Sequence, residues 1–310
     1  MTFSLEKEEC ALSEKTFKTL RDIPTEQYLV GGSPTCAGCG PEIGLKLALK
    51  VLGKDTIVVN PSGCMTLLCN YPYTPLKVSW IHSAIENASS TALGIKAALK
   101  ARERKMNVMV YGGDGATYDI GFGSLSFAAV KNEKIIYICY NNECYGNTGD
   151  QWNTATPKLA STTTTPAGSK IHGNNSAPKD MVKIMSDHGV YAATASLAFP
   201  MDYMNKIKKA QENDGFSYIE LMGTCPTNWG FDESKTIDVS KAAVETCFWP
   251  LIEREKGKLT INYKPEQLMP LIDFLKPQGR FAHLTKRDAE DLQEEVARRW
   301  HALLEEEKKQ

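Results

Sequence analysis

Residues 108–121 read VMVYGGDGATYDIG: a short apolar run, two glycines, an Asp-Gly pair, and then residues at helical spacing. A strand that ends in glycines and passes into a helix is a building unit of α/β folds. Here it leaves one carboxylate, Asp114, at the strand's carboxyl end. Glycines let a backbone approach a ligand closely, amides at a helix start face anions, and Mg²⁺ favours carboxylate oxygens in phosphate company. The stretch therefore suits a diphosphate and a divalent cation. Against this stands the plainer reading of Asp-Gly as a hairpin turn, which weakens because the residues after Gly115 have helical rather than strand spacing.

Outward from this stretch the alternation continues in both directions. PEIGLKLALKVL (41–52) predicts a helix, stopped by Gly53, and TIVVN (56–60) a buried strand. Further helices are predicted at 86–101, 118–130, 178–188 and 201–213, with strands at 107–111, 135–140, 190–193 and 217–221. Near-continuous apolar strands alternating with helices predict an α/β fold: a mostly parallel sheet with helices on both faces and ligands at the strands' carboxyl ends. Residues 1–30 read as a polar arm able to pack on a partner, 31–270 as the α/β domain, and 271–310 as an extension. In its last segment Leu292, Val296 and Trp300 recur every fourth residue, an amphipathic helix seeking a partner surface. Residues 145–179, with STTTTPAG at 161–168, form a polar stretch too long for an ordinary connection, and read as a functional loop or arm.

Composition narrows the function. The 310 residues carry 36 Lys and Arg against 37 Asp and Glu, a formal charge of −1, so nothing attracts the chain generally to nucleic acid or anionic membrane. With 42% hydrophobic and 24% charged residues it reads as a folded globular protein. The acidic start, Glu6 to Glu9, and the lack of a long apolar run predict a cytoplasmic protein. In that compartment thiols stay reduced, so nine unevenly spaced cysteines suggest metal rather than a disulfide framework. TCAGCG (35–40) is a C-x-x-C turn, Cys64 follows the strand at 56–60, and Cys225 follows the strand at 217–221. Four thiolates on such loops suit a [4Fe–4S] cluster. A four-cysteine zinc knuckle uses the same ligands, though usually as two C-x-x-C pairs. Cys10, Cys69, Cys139 and Cys247 read as ordinary thiols.

One helix and one strand after the first motif, IIYICYNNECYGNTGDQ (135–151) sets Asn141 and Asn142 just past a strand end. There an amide oxygen of Asn142 could complete a Mg²⁺ shell begun by Asp114; Asn-Asn is also plain turn chemistry. The conjunction of Gly113-Asp114-Gly115 with Asn141-Asn142 resembles the thiamine diphosphate motif of thiamine-dependent enzymes. GDGATYDIGFGSLS, YNNECYGNTGDQ, YAATASLAFP (191–200), GTCPTNWG (223–230) and FLKPQGRFAHL (274–284) resemble, more narrowly, the β subunits of 2-oxoacid:ferredoxin oxidoreductases. The likeness runs from about residue 28 to 305.

The resemblance implies a thiamine-diphosphate-binding catalytic subunit. With coenzyme A, such an enzyme oxidatively decarboxylates a 2-oxoacid, pyruvate foremost, to acyl-CoA and CO₂. Electrons then leave through a proximal [4Fe–4S] cluster to ferredoxin. By motif, Gly113, Asp114, Gly115, Ala116, Asn142, Asn147 and Thr148 fall at the cofactor and Cys36, Cys39, Cys64 and Cys225 at the cluster. Asp114, Asn142 and the main-chain carbonyl of Cys144 fall at Mg²⁺, and Asn147 at the 2-oxoacid. A nucleophilic Cys144 is the rival reading, and would need a base that no histidine spacing supplies. Gly146 replaces a larger residue usual in the family, which implies a relaxed loop or room for a bulkier substrate; GTCPTNWG also departs from the usual proline-cysteine-proline. His82 and Glu86, four apart on the predicted helix, read as a structural pair or as support for the pocket.

The carboxylate that activates the aminopyrimidine is implied on a separate α subunit, with γ and ferredoxin-like δ subunits beside it. The terminal helix and the 145–179 loop are the expected α contacts. Other readings are the same chemistry on a branched-chain, aromatic or oxalate substrate, a non-redox thiamine-dependent decarboxylase or synthase, and a zinc-stabilised binding module.

Overall fold

The computed structural model describes residues 16–70, 72–168 and 172–310; Cys10 and the first half of the arm lie outside them. Six parallel strands form the body of the sheet: β1 (Thr56–Pro61), β2 (Ser79–Ser83), β3 (Asn107–Gly113), β4 (Ile136–Asn141), β5 (Tyr191–Ser196) and β6 (Ser217–Met222), the last lying between β4 and β5. An antiparallel hairpin, β7 (Ile252–Glu255) and β8 (Lys258–Ile261), extends the β5 edge, so the order is β2-β1-β3-β4-β6-β5-β7-β8. Strands β4, β5 and β6 are buried along their whole length, as expected where helices cover both faces.

On one face α1 (Gly40–Leu52) packs beside α5 (Pro200–Glu212), burying Leu45, Leu49 and Ile207 over Tyr111, Ile138 and Leu221. Gly44 makes this approach feasible, since a Cβ there would meet Leu221 Cδ2 at 2.2 Å. On the other face α2 (Ala88–Ala101), α3 (Phe122–Lys131), α4 (Met181–Asp187), α7 (Thr236–Glu245) and α9 (Lys286–Lys308) cover Val110, Tyr137, Cys139 and Tyr218; α6 (Pro226–Trp229) and α8 (Ile272–Leu275) are single turns. Each fully buried Leu or Phe contributes about 1.5–3 kcal/mol relative to exposure.

Three expectations change. The helix predicted from 118 begins at Gly115 as a π-helical turn, Gly115–Ile120, before α3. His82 does not lie on a helix with Glu86: it sits in edge strand β2, and Glu86 lies in the turn before α2. The stripe Leu292, Val296 and Trp300 is buried inside the chain, which corrects its assignment to another subunit. The β7–β8 hairpin supplies the missing surface, and Arg254 on β7 pairs with Glu306 on α9. The described part of the arm also lies on this chain: Phe17 is buried, and its amide and carbonyl bond the Asn205 side chain on α5.

The fold places a crevice by topology. From β1 the chain moves outward to β2, then crosses to β3 on β1's other side. Ligands in such sheets lie at the carboxyl ends where the winding direction changes, here between the loops after Pro61 and Gly113.

Candidate functional site

Strand register builds the site. Gly113 pairs with Tyr140, which sets Asp114 level with Asn141 and brings Asn142 just beyond it. A cleft of about 130 Å³ opens there, lined by Ser62, Gly63 and Cys64 after β1, by Gly113 to Ala116 after β3, and by Asn142 and Cys144 to Thr148 after β4. Gly115 carries no side chain because Tyr145 covers it; a Cβ would meet the ring at 2.3 Å. Asn147 and Thr148 are exposed on the rim, on a turn closed by the Tyr145 amide donating to the Gln151 carbonyl at 2.9 Å.

At the cleft's floor the amide oxygen of Asn142 stands 2.8 Å from Asp114 Oδ1 and 2.9 Å from the Cys144 carbonyl oxygen. Three acceptors facing one another repel unless something positive joins them. Either the amide turns over and donates to both, or a proton kept by Asp114 bridges to it, or a cation sits between. Octahedral Mg²⁺ with oxygens at about 2.0–2.1 Å would hold adjacent ligands about 2.9 Å apart, so the spacing fits a cation. Burial drives the Asp114 carboxyl from 3.8 up to about 8, although the Asn153 amide and nearby backbone N–H groups oppose the rise. A carboxylate so desolvated calls for a positive partner.

Several residues that the sequence reading missed hold this floor. Asn153, from the long loop, donates to Asp114 Oδ2 at 2.9 Å. Thr154 and Lys179 bond Asp119, at 3.1 Å through the Thr154 amide and 3.2 Å through the lysine, which folds the described part of the 145–179 stretch back over the π-helical turn. Its described contacts with Asp114 and Asp119 are thus made within this chain. Trp229 Nε1 donates to the Asn142 carbonyl at 2.8 Å. Arg280 lies over the Trp229 ring at 3.8 Å and pairs with Glu143 at 2.6 Å, both side chains buried. GTCPTNWG and FLKPQGRFAHL thus meet behind the asparagines. Only the buried-charge demand for partners could have signalled them.

Gly146 is not a vacancy. A Cβ would lie 2.5 Å from Asn142 Nδ2 and 2.9 Å from Asn228 Nδ2, so the space above it is taken by amides. The reading that its missing side chain leaves room for a bulkier substrate is corrected accordingly. Cys144 is buried, its sulfur 3.5 Å from Asn228 Nδ2, and burial foremost, with Asp114 next, pushes its thiol well above the ordinary range. A nucleophile needs the opposite shift.

The four other candidate thiols gather beside the cleft. The turn that carries Cys36 and Cys39 is fastened to the loop of Cys225 by the Gly40 amide, which donates to Thr224 O at 3.1 Å. Burial pushes Cys39 and Cys64 up to about 12 and Cys225 to about 11, and neighbouring thiols add to each rise: Cys225 and Cys64 for Cys39, Cys225 and Cys36 for Cys64, Cys36 for Cys225. Such thiols stay protonated until a metal displaces the proton. Among the described residues no three His, Cys, Asp or Glu side chains converge as ligands of one ion. A four-iron cluster asks for a wider arrangement, since each thiolate takes a different iron.

Comparison with known proteins agrees with this geometry. Residues 61–221 match the thiamine pyrophosphate enzyme, C-terminal TPP binding domain. The chain is 47% identical over 284 residues to pyruvate synthase subunit PorB of Methanocaldococcus jannaschii, covering 88% of this chain and 95% of that one. It is 40% identical over 291 residues to ketoisovalerate oxidoreductase subunit VorB of Pyrococcus furiosus, covering 91% and 94%. A solved 2-oxoglutarate:ferredoxin oxidoreductase from Magnetococcus marinus, with 2-oxoglutarate, coenzyme A and succinyl-CoA bound, aligns at TM-score 0.56 and 27% identity over 69% of this chain and 72% of that one.

Proposed function

The chain belongs to the 2-oxoacid:ferredoxin oxidoreductase family, as a subunit with its thiamine pyrophosphate domain, and on that premise we propose that it decarboxylates pyruvate oxidatively. The observation that carries the reading is the Asn142 side-chain amide set between Asp114 Oδ1 at 2.8 Å and the Cys144 carbonyl at 2.9 Å, in the crevice that Cys64 also lines.

In this reading Asp114, Asn142 and the Cys144 carbonyl hold Mg²⁺, and Gly113, Gly115 and Ala116 let the diphosphate approach their backbone. Bound thiamine diphosphate would supply the carbanion that attacks the 2-oxo carbon, and a [4Fe–4S] cluster on Cys36, Cys39, Cys64 and Cys225 the one-electron acceptor. Asn147 orients the 2-oxoacid from the rim, with Thr148 beside it at the cofactor. The floor keeps water off the metal oxygens through Asn153, Trp229 and the Arg280–Glu143 pair. An α subunit brings the activating carboxylate, γ and δ subunits and ferredoxin carry electrons onward, coenzyme A takes the acyl group, and the complex works in the cytoplasm. Among the described residues no helix is long and apolar enough to cross a membrane.

The test is the content of iron, acid-labile sulfide, zinc and thiamine diphosphate in the complex purified without oxygen, with the separated chain assayed alongside. About four irons and one thiamine diphosphate per copy of this chain are expected. Cofactor without iron would move the protein to non-redox thiamine chemistry, and zinc with neither would end the enzyme reading. Turnover of pyruvate against 2-ketoisovalerate with coenzyme A then decides the substrate; the VorB likeness makes the branched acid the chief competitor.

A further inference from the structure

Behind the two asparagines lies a second layer. Glu220, in the middle of β6 and 3% exposed, accepts hydrogen bonds on Oε1 from the Tyr118 hydroxyl and from Asn141 Nδ2, the latter at 2.8 Å. Asn141 Nδ2 also donates to the Tyr118 hydroxyl at 3.0 Å, closing a triangle. Its three corners come from three segments: Tyr118 from the π-helical turn that starts at Gly115, Asn141 from the end of β4, and Glu220 from the strand between β4 and β5.

The triangle fixes more than itself. With Nδ2 committed to Glu220 and Tyr118, the Asn141 amide has one orientation, and its oxygen accepts the Glu143 amide at 2.9 Å. That bond shapes the turn across Asn142, whose side-chain amide lies between Asp114 Oδ1 and the Cys144 carbonyl. The Tyr118 corner meanwhile ties down the turn that begins directly after Asp114. Glu220 therefore joins both halves of the oxygen floor, reinforcing the direct Tyr118–Asn141 bond, while touching none of its oxygens.

We propose that Glu220 is a positioning residue for the metal: by holding Tyr118 and Asn141 together it sets the spacing between Asp114 and the Asn142–Cys144 turn, and so the affinity for Mg²⁺ with thiamine diphosphate. The inference rests on the reading of that floor as a magnesium site. Groups that orient metal ligands from behind commonly change affinity about 10–100-fold when removed.

The experiment uses the complete oligomer, stripped of metal and cofactor, with Mg²⁺ titrated at fixed thiamine diphosphate and retained cofactor measured after rapid gel filtration. Glu220 lines a cavity of about 410 Å³ on that face of the sheet, so Glu220→Leu has room. It should raise the half-saturating Mg²⁺ concentration on the order of 10–100-fold, and Tyr118→Phe about fivefold, the loss of a hydroxyl that donates to Glu220 and accepts from Asn141. Glu220→Gln keeps an acceptor oxygen and should stay within about threefold. The Leu/Phe double variant should be weaker than Glu220→Leu by less than the fivefold of Tyr118→Phe alone, because the two residues share one network and only the direct Asn141–Tyr118 bond remains to be lost. A purely structural role would lower the melting temperature of the stripped oligomer and leave the Mg²⁺ midpoint unmoved. Wild-type midpoints in both Glu220→Leu and Tyr118→Phe overturn the inference alone; if the leucine variant does not assemble, Tyr118→Phe decides. A wild-type oligomer that takes up no thiamine diphosphate at any Mg²⁺ concentration overturns the magnesium reading and this inference with it.

Discussion

Gly146 shows how a single absent methyl group governs the site. Its Cα faces the Asn142 and Asn228 amides so closely that a Cβ would stand 2.5 and 2.9 Å from their nitrogens, and Asn142 is already bound behind by Trp229. Gly146→Ala must therefore displace an amide that the floor needs. We expect a loss of about 1–3 kcal/mol, as for overpacking elsewhere, measured by urea unfolding, together with weaker cofactor retention. Unchanged stability would mean that Asn228 yields freely. The glycine was visible in the sequence as a departure from the family, but its meaning was not: of the two amides that crowd it, that of Asn228 comes from a segment 82 residues away. Asp114 and Asn142 differ in this respect. Each follows a strand end, so the register of neighbouring parallel strands was enough to bring them together.

At the scale of elements, the terminal helix separates pattern from partner. Periodicity made the apolar face of α9 legible, since a buried stripe every fourth residue is a local property. The surface that covers the stripe was not legible. The β7–β8 hairpin that helps to do so is short, alternates only briefly, and is a strand pair without its own periodic signature. Strand β2 was misread for a related reason: four of its five residues are wholly or partly exposed at the sheet edge, so SWIHS carries no burial pattern. Trp300→Ala tests the packing. If the stripe is internal, the substitution should cost about 3–5 kcal/mol of unfolding free energy in the separated chain. If it were a subunit contact, assembly would weaken while the separated chain kept its stability.

For the whole molecule, a carboxyl buried in the layer behind the crevice ties stability to pH. Burial, with a further rise from Asp180, lifts Glu220 from 4.5 to about 7 against the hydrogen bonds of Tyr118, Asn141 and Tyr218 that lower it. A carboxyl whose folded value is raised binds its proton more tightly folded than unfolded. Its contribution is then fully present below pH 4.5 and is lost as pH rises towards and through about 7. Unfolding free energies of the metal-free wild type and Glu220→Gln, measured across that window, should diverge, with the wild type falling relative to the variant as pH rises and the difference level above it. Parallel curves would place Glu220 at its ordinary value. SYIELM (217–222) did hold a hint of this, a lone carboxylate inside an apolar strand.

The alternation of strand and helix, the parallel sheet, the glycine turn with its carboxylate and the cysteine-bearing loops could all be read from sequence, because each is written in neighbours a few residues apart. Which side chains stand behind those residues was settled only by the folded chain. Glu220 meets Tyr118 across 102 residues, and Trp229 meets Asn142 across 87. No local spacing encodes such contacts: they exist because buried polar groups must find partners once the sheet and its loops have closed around them.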